Sequence, residues 1–276
     1  RSWMRPYDVD GDGEMDGCGA RGLGGGEAHM CMLDSDQEVR CWGLAGPKLE
    51  PPAGSFVEVS GGKLHTCGVR ADQTLACWGQ NTKLQLNAPA GSYKAVAAGR
   101  FHNCGVQVSG ALKCWGSDDF DELDAPAGSY VSLSAGYNHT CAVAEDGSIA
   151  CWGYGNSGQL NVPQEGSYTQ VSSGASHACA LSDEQTVVCW GSGNNGQGNP
   201  PAEVVFTQIS AGKLHTCGLT DSGDVHCWGE PEAALMDVPE GPWASIALAN
   251  EHACGIREDG SVLCWGDSNS NQLDVP

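Results

Sequence analysis

The chain has 276 residues, enough for one large domain or two small ones, and its 40 glycines and 13 prolines imply many short turns. Thirteen Lys/Arg against 34 Asp/Glu give a net charge of −21, which repels phosphate backbones and anionic lipid surfaces and argues against nucleic acid as a partner. No apolar run approaches the ~18 residues of a membrane-spanning helix, while 40% apolar content leaves material for a core.

The chain opens at Arg1 without a signal-peptide pattern, as a processed or truncated product would. Residues 8–18 then read DVDGDGEMDGC, which sets Asp8, Asp10, Asp12, Glu14 and Asp16 at alternate positions around glycines. Calcium takes about six to eight hard oxygens, and an Asp-x-Asp-x-Asp-Gly loop wraps them around one ion. The stretch resembles thrombospondin type 3 and EF-hand-like loops, including the cysteine just beyond it, and that resemblance implies calcium as a cofactor. Gly19 stands where the usual twelfth-position acid would be, so a further ligand comes from elsewhere or affinity is weak. A solvated acidic linker is the plain alternative. Residues 1–19 are set apart as an acidic calcium-type linker, and residues 20–276 as a repeat domain.

From His29 onward one pattern recurs seven times: HMCMLDSDQEVRCWG, and again from His65, His102, His139, His177, His215 and His252. The first cysteines lie 36, 37, 37, 38, 38 and 37 residues apart, a period typical of stacked units that cannot bury their apolar faces alone. Upstream of each copy from the second on, an aromatic is followed three residues later by Val, Ile or Leu, as in GSFVEVSGG (54–62) and GSYVSLSAG (128–136). Repeat 1 keeps Leu23 but has Ala20 in the aromatic place. Aliphatic and β-branched residues between Gly, Pro and Asp clusters read as short strands. Three strands per repeat are predicted, and the tail exemplified by LQLNAP (84–89) is read as a short fourth.

The cysteines pair at one fixed separation of ten: Cys31 with Cys41, Cys67 with Cys77, Cys104 with Cys114, Cys141 with Cys151, Cys179 with Cys189, Cys217 with Cys227 and Cys254 with Cys264. Zinc sites show tighter pairs such as C-x₂-C, so disulfides and an oxidising compartment are the better reading than buried reduced thiols. Cys141 and Cys151 are centred on Asp146. A three-residue hairpin loop with glycine in the left-handed position sets 144 opposite 148 and 141 opposite 151. Period-two alternation places Cys67 and Val69 on one face and Thr66 and Gly68 on the other, so both faces look buried, one of them kept small for a close neighbour. The last repeat ends on an ordinary NQLDVP with no polar cap, which favours ring closure over a linear solenoid. The expected fold is all-β, a seven-bladed β-propeller with one disulfide inside each blade.

AGYNHTCAVAEDGSIACWGYGNSGQL (135–160) resembles the repeat of the regulator of chromosome condensation superfamily. The short period and the VP-x-GSY links look more like its short-repeat bacterial branch, typified by the second β-lactamase-inhibitor protein. The resemblance covers about residues 20–276 and implies a seven-bladed propeller that acts by binding proteins.

Seven of the eight histidines share one repeat position, which points to one structural hydrogen bond per repeat rather than a metal ring; His226, beside Cys227, reads as a strand residue. The motif tryptophans read as core. Variation within the repeats carries the functional signal. In an up-down-up unit the turn before each His and the loop after each Trp-Gly emerge on the same face. Repeats 3 and 4 place Arg100, Phe101, Phe120, Tyr137, Asn138 and Tyr154 there, beside the acidic SDDFDELD (117–124) with Asp118 and Asp119. Aromatics mixed with charge on loops are typical contact anchors, though some of them could instead pack over their own loops. The functional expectation is a secreted, non-catalytic scaffold that recognises a protein through this face. A carbohydrate-binding module using the same aromatics is the alternative, and a hydrolase with its site at the channel mouth a third. Cys18 is left over by parity, which implies an intermolecular bond or a reactive thiol, and so a tether to a larger assembly; a buried free thiol is the alternative.

Overall fold

Short runs of alternating apolar residues cut by glycine turns can form only small sheets, and small sheets must bury both faces against neighbours. The computed structural model describes residues 22–230 and 234–276, so the boundary at residue 20, the acidic Asp8, Asp10, Asp12, Glu14 and Asp16, and Cys18 all lie outside the described residues. Seven three-stranded antiparallel sheets follow one another in chain order, one per repeat. Blade 1 comprises Gly22–Gly25, His29–Leu33 and Val39–Gly43; blade 2, Phe56–Gly61, His65–Arg70 and Leu75–Gly79; blade 3, Tyr93–Ala98, His102–Gln107 and Leu112–Gly116. Blade 4 comprises Tyr130–Ala135, His139–Ala144 and Ile149–Gly153; blade 5, Tyr168–Ser173, His177–Ser182 and Val187–Gly191. Blade 6 comprises Gln208–Ala211, His215–Leu219 and Val225–Gly229; blade 7, Trp243–Leu248, His252–Arg257 and Val262–Gly266. The predicted all-β, seven-bladed β-propeller is the fold observed.

The cysteine spacing is a hairpin register. Cys141 stands directly opposite Cys151, the Ala144 N–H donates to Ser148 O at 2.8 Å, and Gly147 takes the left-handed position at φ +83°. All seven bridges join residues ten apart, with Cα atoms 4.0–4.1 Å from each other. In the chain-entropy picture each closes its loop for about 3 kcal/mol at most.

Each hydrophobic cluster spans two neighbouring blades. Cys31, Leu33 and Val39 of blade 1, for instance, pack with Phe56, Val59 and Trp78 of blade 2. The seventh cluster joins Met30 and Trp42 of blade 1 to Ala249, Cys254 and Cys264 of blade 7. Among the described residues the ring therefore closes by packing, without a strand shared between its ends.

Three sequence expectations change in detail. The tail after each Trp-Gly is a turn, or in blades 1 and 6 a short 3-10 helix (Pro47–Leu49 and Ala234–Met236), and not a fourth strand among the described residues, because its backbone is spent elsewhere. Its carbonyls accept the indole N–H of the next blade's motif tryptophan, as in Trp115 to Gln85 O at 2.9 Å and Trp152 to Glu122 O at 3.0 Å. The same bond crosses the closure, from Trp42 to Gln272 O at 2.8 Å. The small position on the middle strand makes room for the blade's own aromatic, not for another blade. A Cβ on Gly68 would meet Phe56 Cδ1 at 2.7 Å, and one on Gly105 would meet Tyr93 at 2.8 Å. Repeat 1, which lacks the aromatic in sequence, carries Met32 at this small position. The third difference concerns the histidines. His29, His65, His102 and His177 each bond at 2.8 Å to a side chain of the following blade: Thr66, Asn103, Thr140 and Thr216 respectively. The residue in that place is Ala178 after His139, Ala253 after His215 and Met30 after His252, so these three have no side-chain partner of that kind.

Candidate functional site

The first strand of every blade lines a central channel, a cavity of about 300 Å³. These inner strands do not pair with one another, so their N–H groups on the inter-blade side need other acceptors. Serines supply them: Ser60 Oγ accepts from Ala98 N–H at 3.0 Å, and Ser134, Ser172 and Ser210 accept from Ser173, Ala211 and Leu248, each at 2.9 Å. One level along, Gln170 accepts from Ile209 N–H and donates to Ile209 O, both at 2.9 Å, and Gln208 treats Ile246 in the same way at 3.0 and 3.1 Å. Glu58 holds the equivalent position in blade 2, with its Oε1 3.4 Å from Val96 N–H. Burial pushes its carboxyl up to about 8, the backbone bond opposing this only in part. Glu58 thus makes the first of the two bonds that Gln170 and Gln208 make at the same level in blades 5 and 6.

At one end of the channel the turn before each histidine brings Glu27, Lys63, Arg100, Tyr137, Ala175 and Asn250 to the mouth, and Lys213, bonded through its backbone to Ala175 and Asn250, completes the set of one from each blade. The positions are set by backbone bonds running from turn to turn, such as Arg100 N–H to Tyr137 O at 3.1 Å. Arg100 stacks over the Tyr137 ring at 5.0 Å and the Phe101 ring at 5.7 Å, and Lys63 lies 5.7 Å from the same Phe101. Tyr137 reaches across the ring: burial and the Glu27 charge raise its phenol, while Lys213, Arg100 and a hydrogen bond with Asn250 oppose that. Lys63 pairs with Glu27 at 3.5 Å and Lys213 with Glu251 at 2.7 Å. Three of the protein's 13 cations thus gather on one small patch of an otherwise acidic molecule.

The residues singled out from sequence fall into two groups on this end. Arg100, Phe101 and Tyr137 form the mouth and are half-buried. Farther out, Phe120 meets Tyr154 edge-to-face at 5.1 Å, the N–H of Tyr154 being held by Asn138 O at 2.7 Å. Phe120 remains 43% exposed, enough to offer an aromatic surface to a partner. The loop acids are partly spent on the loop itself: Asp118 accepts from Leu123 N–H at 3.1 Å, and Asp119 binds Lys83 at 2.7 Å and Ser117 Oγ at 3.0 Å. Sequence reasoning missed Lys63, Lys213 and Asn250, whose signal was available: they occupy the same variable repeat position as Arg100 and Tyr137. It also missed Leu84, which is 60% exposed on the same end and sits at φ +63°, where Gly158 and Gly196 stand in later repeats. A leucine in that region is strained and offers apolar surface to solvent.

The seven motif histidines lie under this end, fully or nearly buried. Burial lowers His29, His102 and His177 to about 3, and His65, His139, His215 and His252 to about 4, so all are neutral. His226 lies outside this set, its ring edge-on to Phe206 at 6.1 Å in the outer strand. No cluster of three or more His, Cys, Asp or Glu able to hold a metal occurs among the described residues.

A closed ring of seven disulfide-locked sheets, with its variable residues gathered at one channel mouth, defines a repeat-built propeller scaffold. Residues 56–85, 93–121, 130–159, 168–197, 206–232 and 243–272 match the Regulator of chromosome condensation (RCC1) repeat, and the chain belongs to that family. Among solved structures it is similar to the CRINKLY WD40 ectodomain of the Arabidopsis thaliana receptor kinase ACR4, with 26% identity and a TM-score of 0.76 over 90% of this chain and 97% of that one. The entire ectodomain of the Physcomitrella patens receptor kinase CR4 matches at 25% identity and a TM-score of 0.76, over 88% of this chain and 72% of that one. Prp20p from Saccharomyces cerevisiae, at 14% identity and a TM-score of 0.73 over 92% and 83% of the two chains, shares the fold. No curated protein matches the chain. The seven disulfides fit an oxidising compartment.

Proposed function

We propose that this protein is a secreted, non-catalytic scaffold that recognises a protein partner through the channel-mouth end of blades 2 to 4. The observation that carries this reading is the continuous set of Arg100, Phe101 and Tyr137 at the mouth with Phe120 and Tyr154 outside it. Rigid aromatics and an arginine on a pre-formed backbone lose little entropy on binding, which is why such residues dominate contact energies. The receptor ectodomains it resembles are consistent with extracellular use, and the short repeat period supports a place near the bacterial branch. A hydrolase would need clustered acids beside the cavity. Among the described residues the cavity lining holds two acids, Glu27 and Glu58, on different blades, with Glu27 paired to Lys63, and this separation supports the non-catalytic reading.

The test is affinity capture from the native extracellular milieu with wild type, the triple variant Arg100→Ala/Phe101→Ala/Phe120→Ala, and Val108→Ser on the opposite end. A protein retained by wild type and Val108→Ser and lost by the triple variant supports the reading. Equal capture by all three, or glycan-array binding that the triple variant abolishes, overturns it, the latter in favour of the carbohydrate module.

Calcium held by Asp8, Asp10, Asp12, Glu14 and Asp16, and a covalent tether through Cys18, complete the proposal for the N-terminal segment, supported by the sequence pattern alone. Chelation is expected to release the ion while leaving the melting temperature of the ring unchanged. Thiol labelling of the unreduced protein tests the tether, rapid single labelling with no higher-mass species counting against it.

A further inference from the structure

Three arginines of the ring stack on aromatic side chains, and two of them also donate to a backbone carbonyl. Arg70 lies 5.0 Å from the Phe56 centroid and donates from Nη1 to Ala53 O at 2.9 Å. Arg257 lies 5.3 Å from Trp243 and donates from Nη2 to Glu240 O at 3.2 Å. Arg100 differs. Its guanidinium sits over both Tyr137 and Phe101 and, among the described residues, donates to no acceptor and lies within ion-pair distance of no carboxylate; its Nε–H, like that of Arg257, is buried without a partner. Stacking uses the face of a guanidinium and leaves its five N–H donors in the plane, pointing outward from the edge. A planar acceptor with two oxygens matches that edge with two parallel hydrogen bonds.

The charge around it narrows the choice. Lys63 and Lys213 are already paired with Glu27 and Glu251, so among the described residues the mouth carries one uncompensated positive charge, that of Arg100. One charge calls for a monoanion. A phosphate dianion would meet the field of a molecule at −21, with exposed Asp118, Asp119 and Asp121 close by in the neighbouring loop. We infer that the channel mouth is a carboxylate site, in which the edge of Arg100, fixed by Tyr137 and Phe101, receives the side chain of an aspartate or glutamate presented by the partner. This rests on the protein-binding reading above and identifies the chemistry of the anchor it would receive.

The experiment needs no partner, so its outcome is separable from that of the capture assay. The ¹⁵N-arginine-labelled full chain is titrated with a capped Gly-Glu-Gly peptide, a capped Gly-Gln-Gly peptide and inorganic phosphate, and the Arg100 Nε–H resonance is followed by NMR. The expected result is a saturable shift with the glutamate peptide alone. Arg100→Gln should weaken binding of that peptide by about tenfold or more, read from other mouth resonances, and Arg100→Lys by less, because the charge survives and the fork does not. No movement of Arg100 at tens of millimolar peptide, an equal response to the glutamine peptide, tighter binding of phosphate, or unchanged affinity in Arg100→Gln would each overturn the assignment.

Discussion

Lowering the pH from 7 to 5 is expected to remove most of the stability of the ring, because seven imidazoles are buried neutral. Each histidine is held at about 3 or about 4 against an ordinary 6.5. Above 6.5 neither state binds the proton, and the full contribution of the ring is present. Below it the unfolded chain takes up one proton per histidine while the native chain takes none, until the pH nears the folded values. Each such proton costs ~1.4 kcal/mol of stability per pH unit, so by pH 5 one histidine has lost about 2 kcal/mol and seven about 14. Whole domains have only about 5–15 kcal/mol to lose. Carboxylates ordinarily gain protons near pH 4, so relief of repulsion in this acidic chain arrives later. Urea denaturation at fixed pH values from 7.5 to 4.5, with the disulfides intact, measures the slope. His177→Gln places an amide donor where Nε2 now meets Thr216 Oγ1 at 2.8 Å and removes one titrating group. Its slope should fall by about 1.4 kcal/mol per pH unit relative to wild type, whatever the offset in absolute stability. Flat wild-type stability between pH 7 and pH 5, or an unchanged slope in His177→Gln, would refute the reasoning.

Glu58→Gln should act with the opposite sign. Native Glu58 keeps its proton to about pH 8 while the unfolded chain loses it near 4.5, so its contribution is full below 4.5 and lost between 4.5 and 8. The amide should therefore stabilise by up to about 4 kcal/mol at pH 8 and by little at pH 4, and equal effects at both would count against a protonated glutamate. Trp42→Phe removes the indole bond to Gln272 O across the closure and should cost about 1–3 kcal/mol, as Trp115→Phe does at an internal seam. If only Trp115→Phe is destabilising in urea, the ring is not closed in solution. Leu84→Gly relieves a left-handed leucine and should leave stability unchanged or raise it by up to about 1 kcal/mol, while weakening partner capture. A clear loss of stability would show that Leu84 is packed rather than presented.

The repeat count, the three strands per repeat and the disulfide register were all legible in the sequence, because they depend on contacts within about fifteen residues. Cys141 and Cys151 meet through a hairpin whose loop length sets their pairing, and the glycine or glutamine at its left-handed corner is a local requirement. The face carrying Arg100, Phe101, Phe120, Tyr137 and Tyr154 followed from the alternating direction of those strands. What only the tertiary structure decided lies between blades. Whether a motif histidine has a partner depends on the residue one repeat later, threonine or asparagine for four of them and Ala178, Ala253 or Met30 for the others. The tail expected as a fourth strand became the acceptor for the next blade's tryptophan. The protonation of Glu58 and the gathering of Lys63, Arg100, Tyr137 and Lys213 at one mouth arise because closing the ring brings together positions separated by whole repeats. A repeating sequence encodes its unit locally, while the burial, pairing and charge of each side chain are set by the neighbour that closure places against it.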